Sequence, residues 1–151
     1  MTIDIPGREA LVLNTVVLDF NGTLAIDGKV GQSVESLVHE VALRYTTILA
    51  TADTFGTATE FARRIGIRLE VVQGGRDKKD LVQGFSGGVA AIGNGVNDQE
   101  MFRVADLAIG IMGPEGAAVS SMLAADVWVS SVDQALELLL HPKRLAATLR
   151  A

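Results

Sequence analysis

The sequence contains no cysteine, which excludes disulfide bonds and thiolate metal sites. It also lacks an excess of basic residues, because 13 Lys and Arg stand against 18 Asp and Glu, for a net charge of -5 at pH 7. Without a basic stripe, neither a nucleic acid nor an anionic membrane is an expected partner. No apolar run resembles a signal segment or a membrane span, so a reducing cytoplasm is the expected location.

What is present is enough apolar material for one domain. The chain has 151 residues, of which 48% are hydrophobic, and a chain of this length buries roughly 70% of its unfolded surface. Residues 1–151 are therefore expected to form a single domain. Short apolar runs alternate with stretches of helical periodicity, a pattern typical of an α/β fold with a doubly wound parallel sheet.

The most informative segment is 16–24, an apolar, valine-rich run that ends at Asp19. Such a run is typical of a strand buried on both faces of a parallel sheet. Asp19 then lies at the carboxyl end of the strand, where open α/β sheets bind ligands. A turn or helix-capping role is the alternative, but Asn21, Gly22 and Thr23 already supply the turn.

Two later strand ends also carry polar groups. One β-type run ends at Thr51, whose hydroxyl can donate to a phosphate oxygen. Alternatively, Thr51 or Thr54 caps the helix that follows. A second run ends in a glycine turn over 93–98, where Asn97 and Asp98 begin the next helix. On its own this turn predicts only a tight connection between a strand and a helix.

Local signals predict several further features. Residues 2–13 alternate around a Pro-Gly turn and predict an edge hairpin, and Asp27-Gly28 predicts a second hairpin, a flap over 25–30. Ser33 is the predicted N-cap of a helix with an apolar stripe. His39 lies on that helix and is interpreted as a surface histidine.

Four segments, in this order, resemble the motifs of the haloacid dehalogenase-like (HAD) superfamily of phosphotransferases. Asp19-x-x-Gly-Thr-Leu resembles the first motif, in which the aspartate is the nucleophile and becomes an aspartyl phosphate. Thr51-x-Asp-x-x-x-Thr-Ala resembles the second motif of the P-type ATPases, which usually has glycine at the position of Ala52. The resemblance implies that Thr51 and Ala52 bind the phosphate.

The third and fourth motifs follow at the expected places. Lys78, at the start of a helix, resembles the lysine that neutralises the phosphoryl group and the nucleophile, with Lys79 as the competing lysine. Gly-Asn-Gly-x-Asn-Asp over 93–98 resembles the fourth motif, Gly-Asp-Gly-x-Asn-Asp. By this resemblance, Asp98 binds Mg²⁺ and Asn97 orients the phosphate or Asp98.

The resemblance also implies a complete site and two departures from it. Asp19, Asp98, Asn94 and the carbonyl of Phe20 are the implied Mg²⁺ ligands, and Phe20 and Asn21 are implied at the phosphate. Asn21 stands where HAD phosphatases have an acid–base aspartate, and loss of such a group typically costs about 10²–10⁴ in rate. Asn94 stands where the superfamily has a metal-binding aspartate. Slow turnover and weaker Mg²⁺ binding are expected.

No interval between the motifs is long enough for a cap domain, so the chain resembles the stand-alone phosphorylation-domain proteins of the superfamily. Water exclusion then falls to the flap, to a second subunit of a homo-oligomer or to the substrate. The expected substrate is a phosphorylated small molecule or ATP, or a macromolecule.

Two functions follow from these residues. The first is a slow Mg²⁺-dependent phosphohydrolase or phosphotransferase that acts through Asp19. The alternative is a non-catalytic or regulatory protein that binds a phosphorylated ligand or a partner protein. Asn21 and Asn94 favour this alternative.

Overall fold

The structure is a computed structural model that describes residues 1–53 and 56–151. The strands are β1 (Thr2–Ile3), β2 (Leu11–Val12), β3 (Thr15–Leu18), β4 (Thr46–Thr51), β5 (Arg68–Val71), β6 (Val89–Gly93), β7 (Leu107–Ile111) and β8 (Val127–Val129). The helices are α1 (Gln32–Ala42), α2 (Thr57–Ile65), α3 (Gly75–Gln83), α4 (Gln99–Val104), α5 (Val119–Ala124), α6 (Val132–Leu140) and α7 (Pro142–Leu149). A short 3-10 helix, Val96–Asp98, precedes α4.

The centre of the fold is a six-stranded sheet in the order β5-β4-β3-β6-β7-β8. All of its strand pairs are parallel, which confirms the predicted doubly wound α/β fold. The chain runs outward from β3 to β5, returns to place β6 beside β3, and continues to the opposite edge. The strand order therefore reverses between β3 and β6, and open α/β sheets bind ligands at such a switch point.

Two apolar layers hold helices against the two faces of the sheet. Side chains alternate along each strand, so Val16 and Leu18 join the larger cluster with α1, α2, α6 and α7. Val17 points to the other cluster, which includes residues of α3 and α4. On that second face the sheet presents mainly alanines, Ala50, Ala91 and Ala108. These small side chains share a cluster with Val82 of α3, the helix that carries Lys78.

Both predicted hairpins are present. β1 and β2 pair antiparallel in a separate two-stranded sheet, and the predicted edge hairpin is confirmed. In the flap, Ile26 and Lys29 exchange backbone hydrogen bonds of 2.9 and 3.0 Å. Asp27 and Gly28 between them have φ angles of 52° and 77°, as a type I′ turn requires.

The predicted cap of α1 is wrong. The helix begins at Gln32, with Gly31 as its N-cap, so Ser33 lies inside the first turn. Its hydroxyl donates to Asp133 Oδ2 at 2.9 Å, which ties α1 to α6. The predicted surface position of His39 is confirmed, because the residue is exposed in the last turn of the same helix.

Asp53, and not Thr51, accepts hydrogen bonds from backbone N–H groups in the first turn of α2. Asp53 Oδ1 accepts from the Ala58 N–H at 2.9 Å, and Asp53 Oδ2 accepts from the Thr59 N–H at 3.1 Å. Thr54, the other predicted cap, lies outside the described residues. Within residues 1–53 and 56–151, no helix has the length and apolarity that a membrane crossing requires.

Candidate functional site

A cavity of about 300 Å³ opens where β3, β4, β5 and β6 end, at the switch point of the sheet. Most of the residues named by the motifs lie on its wall. The lining residues are Asp19, Asn21, Thr51, Ala52, Val72, Gln73, Gly74, Lys78, Asn94, Gly95 and Asn97. The sheet thus brings together residues that are far apart in the sequence.

Two cavity-lining residues, Asp19 and Lys78, form a buried ion triad with Asp98, which does not line the cavity. The Lys78 ammonium lies 2.8 Å from Asp19 Oδ1 and 2.7 Å from Asp98 Oδ1. Lys78 is 1% exposed, Asp19 6% and Asp98 0%, so little water screens these charges. Lys79, the competing lysine, is half-buried on the next position of α3. The structure therefore brings Lys78, and not Lys79, to Asp19.

Burial and charge shift the protonation equilibria of this triad. Burial, followed by the nearby Asp98 charge, raises the pKa of Asp19 to about 6, although the Lys78 ammonium opposes the shift. Burial alone would lower the pKa of Lys78, but the two carboxylates outweigh it and raise that pKa. The Lys78 side chain is therefore a cation at neutral pH, and Asp19 is mostly a carboxylate.

The carboxylate of Asp98 is held from two sides. Its Oδ2 accepts the backbone N–H groups of Asn94 and Gly95, both at 2.9 Å, while its Oδ1 accepts from Lys78. A Cβ at Gly93 would collide with this carboxylate. The glycine at the end of β6 is therefore required for the close approach of Asp98.

Asn94 joins three segments of the site. Its Nδ2 donates to the Gly116 carbonyl at 3.1 Å, and its Oδ1 lies 3.3 Å from the Thr23 hydroxyl. That hydroxyl also lies 3.2 Å from Asp19 Oδ2. From the sequence we expect Asn94 among the metal ligands, and in the structure its amide connects the loop after β7 to the turn after β3.

The Phe20 carbonyl, another expected Mg²⁺ ligand, already has two backbone donors in the structure. Its oxygen accepts the N–H groups of Thr23 at 3.2 Å and Ala25 at 2.9 Å. These bonds use both lone pairs of the carbonyl, and Phe20 is not on the cavity wall. Its ring packs against Phe61, with centroids 5.8 Å apart. Phe20 is thus a core residue, whereas the adjacent Asn21 faces the cavity.

The rest of the wall is neutral. Thr51 is buried, with its Oγ1 3.4 Å from the Asp53 N–H, while Ala52, Asn21 and Asn97 are exposed around the opening. The sequence also gave no reason to single out Val72, Gln73 and Gly74, which line the cavity after β5. These three residues reach the cavity because β5 lies beside β4 in the sheet, and the sequence does not show that pairing.

The donor atoms of the triad suit a hard cation. Asp19 and Asp98 offer only oxygen ligands, which Mg²⁺ prefers while it keeps several waters. Among the described residues, no group of three or more His, Cys, Asp or Glu side chains could hold a metal ion. Asp19 and Asp98 each already contact the Lys78 ammonium, so the pair suits a weakly held Mg²⁺. A zinc site would need three or four protein ligands, mostly His or Cys.

The comparisons with known proteins begin with one close relative. An uncharacterized protein of Methanocaldococcus jannaschii is 45% identical over 62 residues, which cover 41% of this chain and 67% of that protein. The two chains belong to one family. No family model matches the sequence.

Solved structures show which fold this chain has. A candidate HAD family hydrolase from Streptomyces avermitilis superposes with a TM-score of 0.68 at 20% identity, covering 86% of this chain and 84% of the other. This chain has the fold of the HAD superfamily. The resemblance read from the four motifs is thereby confirmed at the level of the fold.

Two further HAD-fold structures extend the comparison. The 3-deoxy-D-manno-octulosonate 8-phosphate phosphatase of Moraxella catarrhalis, in complex with magnesium, phosphate and the sugar acid, has a TM-score of 0.68 at 18% identity and covers 91% of this chain and 94% of its own. A zinc-transporting PIB-type ATPase has a TM-score of 0.65 at 17% identity over 79% of this chain, but over only 20% of the ATPase. At these identities the likeness establishes the HAD fold alone.

Proposed function

We propose that this HAD-fold chain is a Mg²⁺-dependent phosphohydrolase or phosphotransferase in which Asp19 is the nucleophile. The observation that carries the proposal is the buried contact of 2.8 Å between Asp19 Oδ1 and the Lys78 ammonium at the floor of the cavity. Phosphoryl transfer depends on positioning and on cationic stabilisation of the phosphoryl oxygens. A carboxylate, a buried cation and a neutral wall around them supply these requirements.

Each residue has a distinct part in this proposal. An oxygen of the Asp19 carboxylate forms a bond to phosphorus while the bond from phosphorus to the leaving oxygen of the substrate breaks, with the electron pair left on that oxygen. The Lys78 ammonium neutralises charge on the phosphoryl oxygens and on Asp19. The Thr51 hydroxyl and the Asn97 amide, both on the cavity wall, donate to the phosphoryl group. Asp19 and Asp98 would hold Mg²⁺, which supplies further positive charge at the phosphoryl oxygens.

The proposed substrate is a phosphorylated small molecule. The phosphatase of Moraxella catarrhalis, whose name specifies an 8-phosphate ester of a sugar acid, spans nearly the same length of chain. A cavity of about 300 Å³ is large enough for a ligand of that class. No cap is present in the described residues, so the flap and the substrate itself are proposed to exclude water.

Asn21 is proposed to limit the rate for phosphate esters. It lies on the cavity wall beside Asp19, but an amide cannot protonate a leaving group. Substrates with poor leaving groups should therefore react slowly, whereas acyl phosphates should phosphorylate Asp19 readily. The same amide favours a second candidate function, which is the binding of a phosphorylated ligand without turnover.

Phosphate release from a panel of phosphate esters, with and without Mg²⁺, tests the proposal. We expect slow, Mg²⁺-dependent release that Asp19→Asn abolishes and that Asn21→Asp accelerates by part of the roughly 10²–10⁴ expected of an acid–base group. Circular dichroism of both variants checks that they are folded. If Asn21→Asp leaves the rate at saturating Mg²⁺ unchanged, or if release is absent in every variant, the binding function is favoured instead.

A further inference from the structure

Among the described residues that line the cavity, Asp19 is the one carboxylate, and no second one accepts a proton from an attacking water. Of the lining residues in the described part of the chain, only Asp19 and Lys78 are ionisable. In the proposed function, on which this inference rests, one is the nucleophile and the other is its cationic partner. A base for hydrolysis of the aspartyl phosphate must therefore come from outside these lining residues.

Two carboxylates adjacent in sequence to lining residues already have structural partners. Asp53 accepts two backbone N–H groups at the start of α2. Asp77 Oδ2 accepts the N–H of Gln73 at 2.9 Å, beside the start of α3. Protonation or movement of either carboxylate would leave these donors without an acceptor, so neither is suited to proton transfer.

Glu115 is a third carboxylate, carried on a turn that is fixed to the site. In this turn the Gly116 N–H donates to the Gly113 carbonyl at 2.9 Å. The turn is anchored on Asn94 at two points, because Asn94 Nδ2 donates to the Gly116 carbonyl at 3.1 Å and the Asn94 carbonyl accepts the Ala118 N–H at 2.9 Å. The Glu115 side chain itself is exposed.

A missing side chain lets Glu115 approach the nucleophile's own turn. Gly22 has a φ of +77°, and a Cβ built on it would lie 2.6 Å from Glu115 Oε2 and 2.8 Å from Asn94 Nδ2. Any other residue at this position would displace the glutamate. Because Gly22 directly follows Asn21, the carboxylate lies beside the residue that replaces the superfamily's acid–base aspartate.

A short polar path connects this position to Asp19. The Thr23 hydroxyl lies 3.2 Å from Asp19 Oδ2 and 3.3 Å from Asn94 Oδ1. A Cβ built on Gly22, 2.6 Å from Glu115 Oε2, would lie 2.8 Å from Asn94 Nδ2 and 3.2 Å from Asn94 Oδ1. Among the described residues, the Glu115 carboxylate makes no hydrogen bond. It is thus free to take a proton without breaking a structural contact.

We propose that Glu115 is the base that activates water for hydrolysis of the Asp19 aspartyl phosphate. The water oxygen forms a bond to phosphorus, and the bond between phosphorus and Asp19 oxygen breaks with its electron pair left on the Asp19 carboxylate. One proton of the water passes to the Glu115 carboxylate and then to solvent. Inorganic phosphate and the free carboxylate of Asp19 are the products.

The test separates formation of the phosphoenzyme from its breakdown. Wild-type protein and Glu115→Gln are labelled with a radioactive acyl phosphate in the presence of Mg²⁺, and loss of label is followed after unlabelled acyl phosphate is added. We expect labelling of Glu115→Gln to be unchanged within about twofold, while loss of label slows by about 10², the lower end of the effect of a general base. Retained labelling also shows that the variant is folded.

Two further variants distinguish a base from a structural residue. Glu40→Gln, an exposed change on α1, should behave as wild type. In the double variant Asn21→Asp with Glu115→Gln, the new aspartate should make Glu115 dispensable and restore the rate of label loss. A double variant as slow as Glu115→Gln, or normal loss of label in Glu115→Gln, overturns this inference alone. If wild-type protein takes up no label, the proposed function fails as well.

Discussion

Lys78→Met should destabilise the protein strongly, because it removes the only cation that contacts the buried carboxylates of Asp19 and Asp98 in the described structure. Removal of one partner from a buried ion pair costs about 3–5 kcal/mol. Asp19 limits the cost, because its pKa, about 6 beside Lys78, rises further once the ammonium is removed, so that its protonation at neutral pH costs at most about 1.4 kcal/mol. We therefore expect a loss of about 3 kcal/mol at neutral pH.

Urea unfolding without Mg²⁺, at neutral pH and near pH 5, measures this effect. The loss should be smaller at the lower pH, where Asp19 is protonated in both proteins. Lys79→Met is the matched control, because Lys79 is the adjacent, half-buried lysine on the same helix, and we expect a change within about 0.5 kcal/mol. A loss below about 1 kcal/mol for Lys78→Met, or equal losses in both variants, would refute the electrostatic account of the triad.

Three other predictions follow from the site. Gly93→Ala should cost about 2–3 kcal/mol in unfolding free energy, because its Cβ collides with the buried Asp98 carboxylate, whereas Gly31→Ala, with open space around it, should not. Because the pKa of Asp19 is raised, its stabilising contribution is complete below pH about 4 and is lost as pH rises through about 6. In urea titrations without metal, the free energy of unfolding of Asp19→Asn relative to that of wild type should therefore rise by about 2–3 kcal/mol between pH about 4 and neutral pH. Mg²⁺ should raise the Tm of wild type but not that of Asp98→Asn, and an equal rise in both would place the metal elsewhere.

The main elements of the fold could be predicted from the sequence because their signals are local. Apolar runs that end in polar residues identify β3, β4 and β6, and their burial on both faces follows from the absence of polar alternation. The Asp27-Gly28 turn was predictable for the same reason, since both φ angles are positive and this pair of residues tolerates them.

The errors have a different origin, because each depends on a contact that is distant in the sequence or on a competing backbone bond. Ser33 looked like a helix cap, but its hydroxyl is used by Asp133 from a later helix. Thr51 was an alternative cap of α2, but Asp53 accepts the N–H groups of Ala58 and Thr59 there. Glu115 gave no signal at all, since only the order of β3, β6 and β7 brings its turn to Gly22.

A phosphoryl group is expected to be transferred to Asp19. The most direct test is to locate that phosphoryl group on the chain after the reaction. Wild-type protein is incubated with a labelled acyl phosphate and Mg²⁺, denatured in acid, digested and mapped by mass spectrometry, with hydroxylamine used to identify an acyl phosphate. The account predicts a hydroxylamine-sensitive phosphoryl group on Asp19 and none in Asp19→Asn. Label on another residue, or equal labelling of Asp19→Asn, would contradict it.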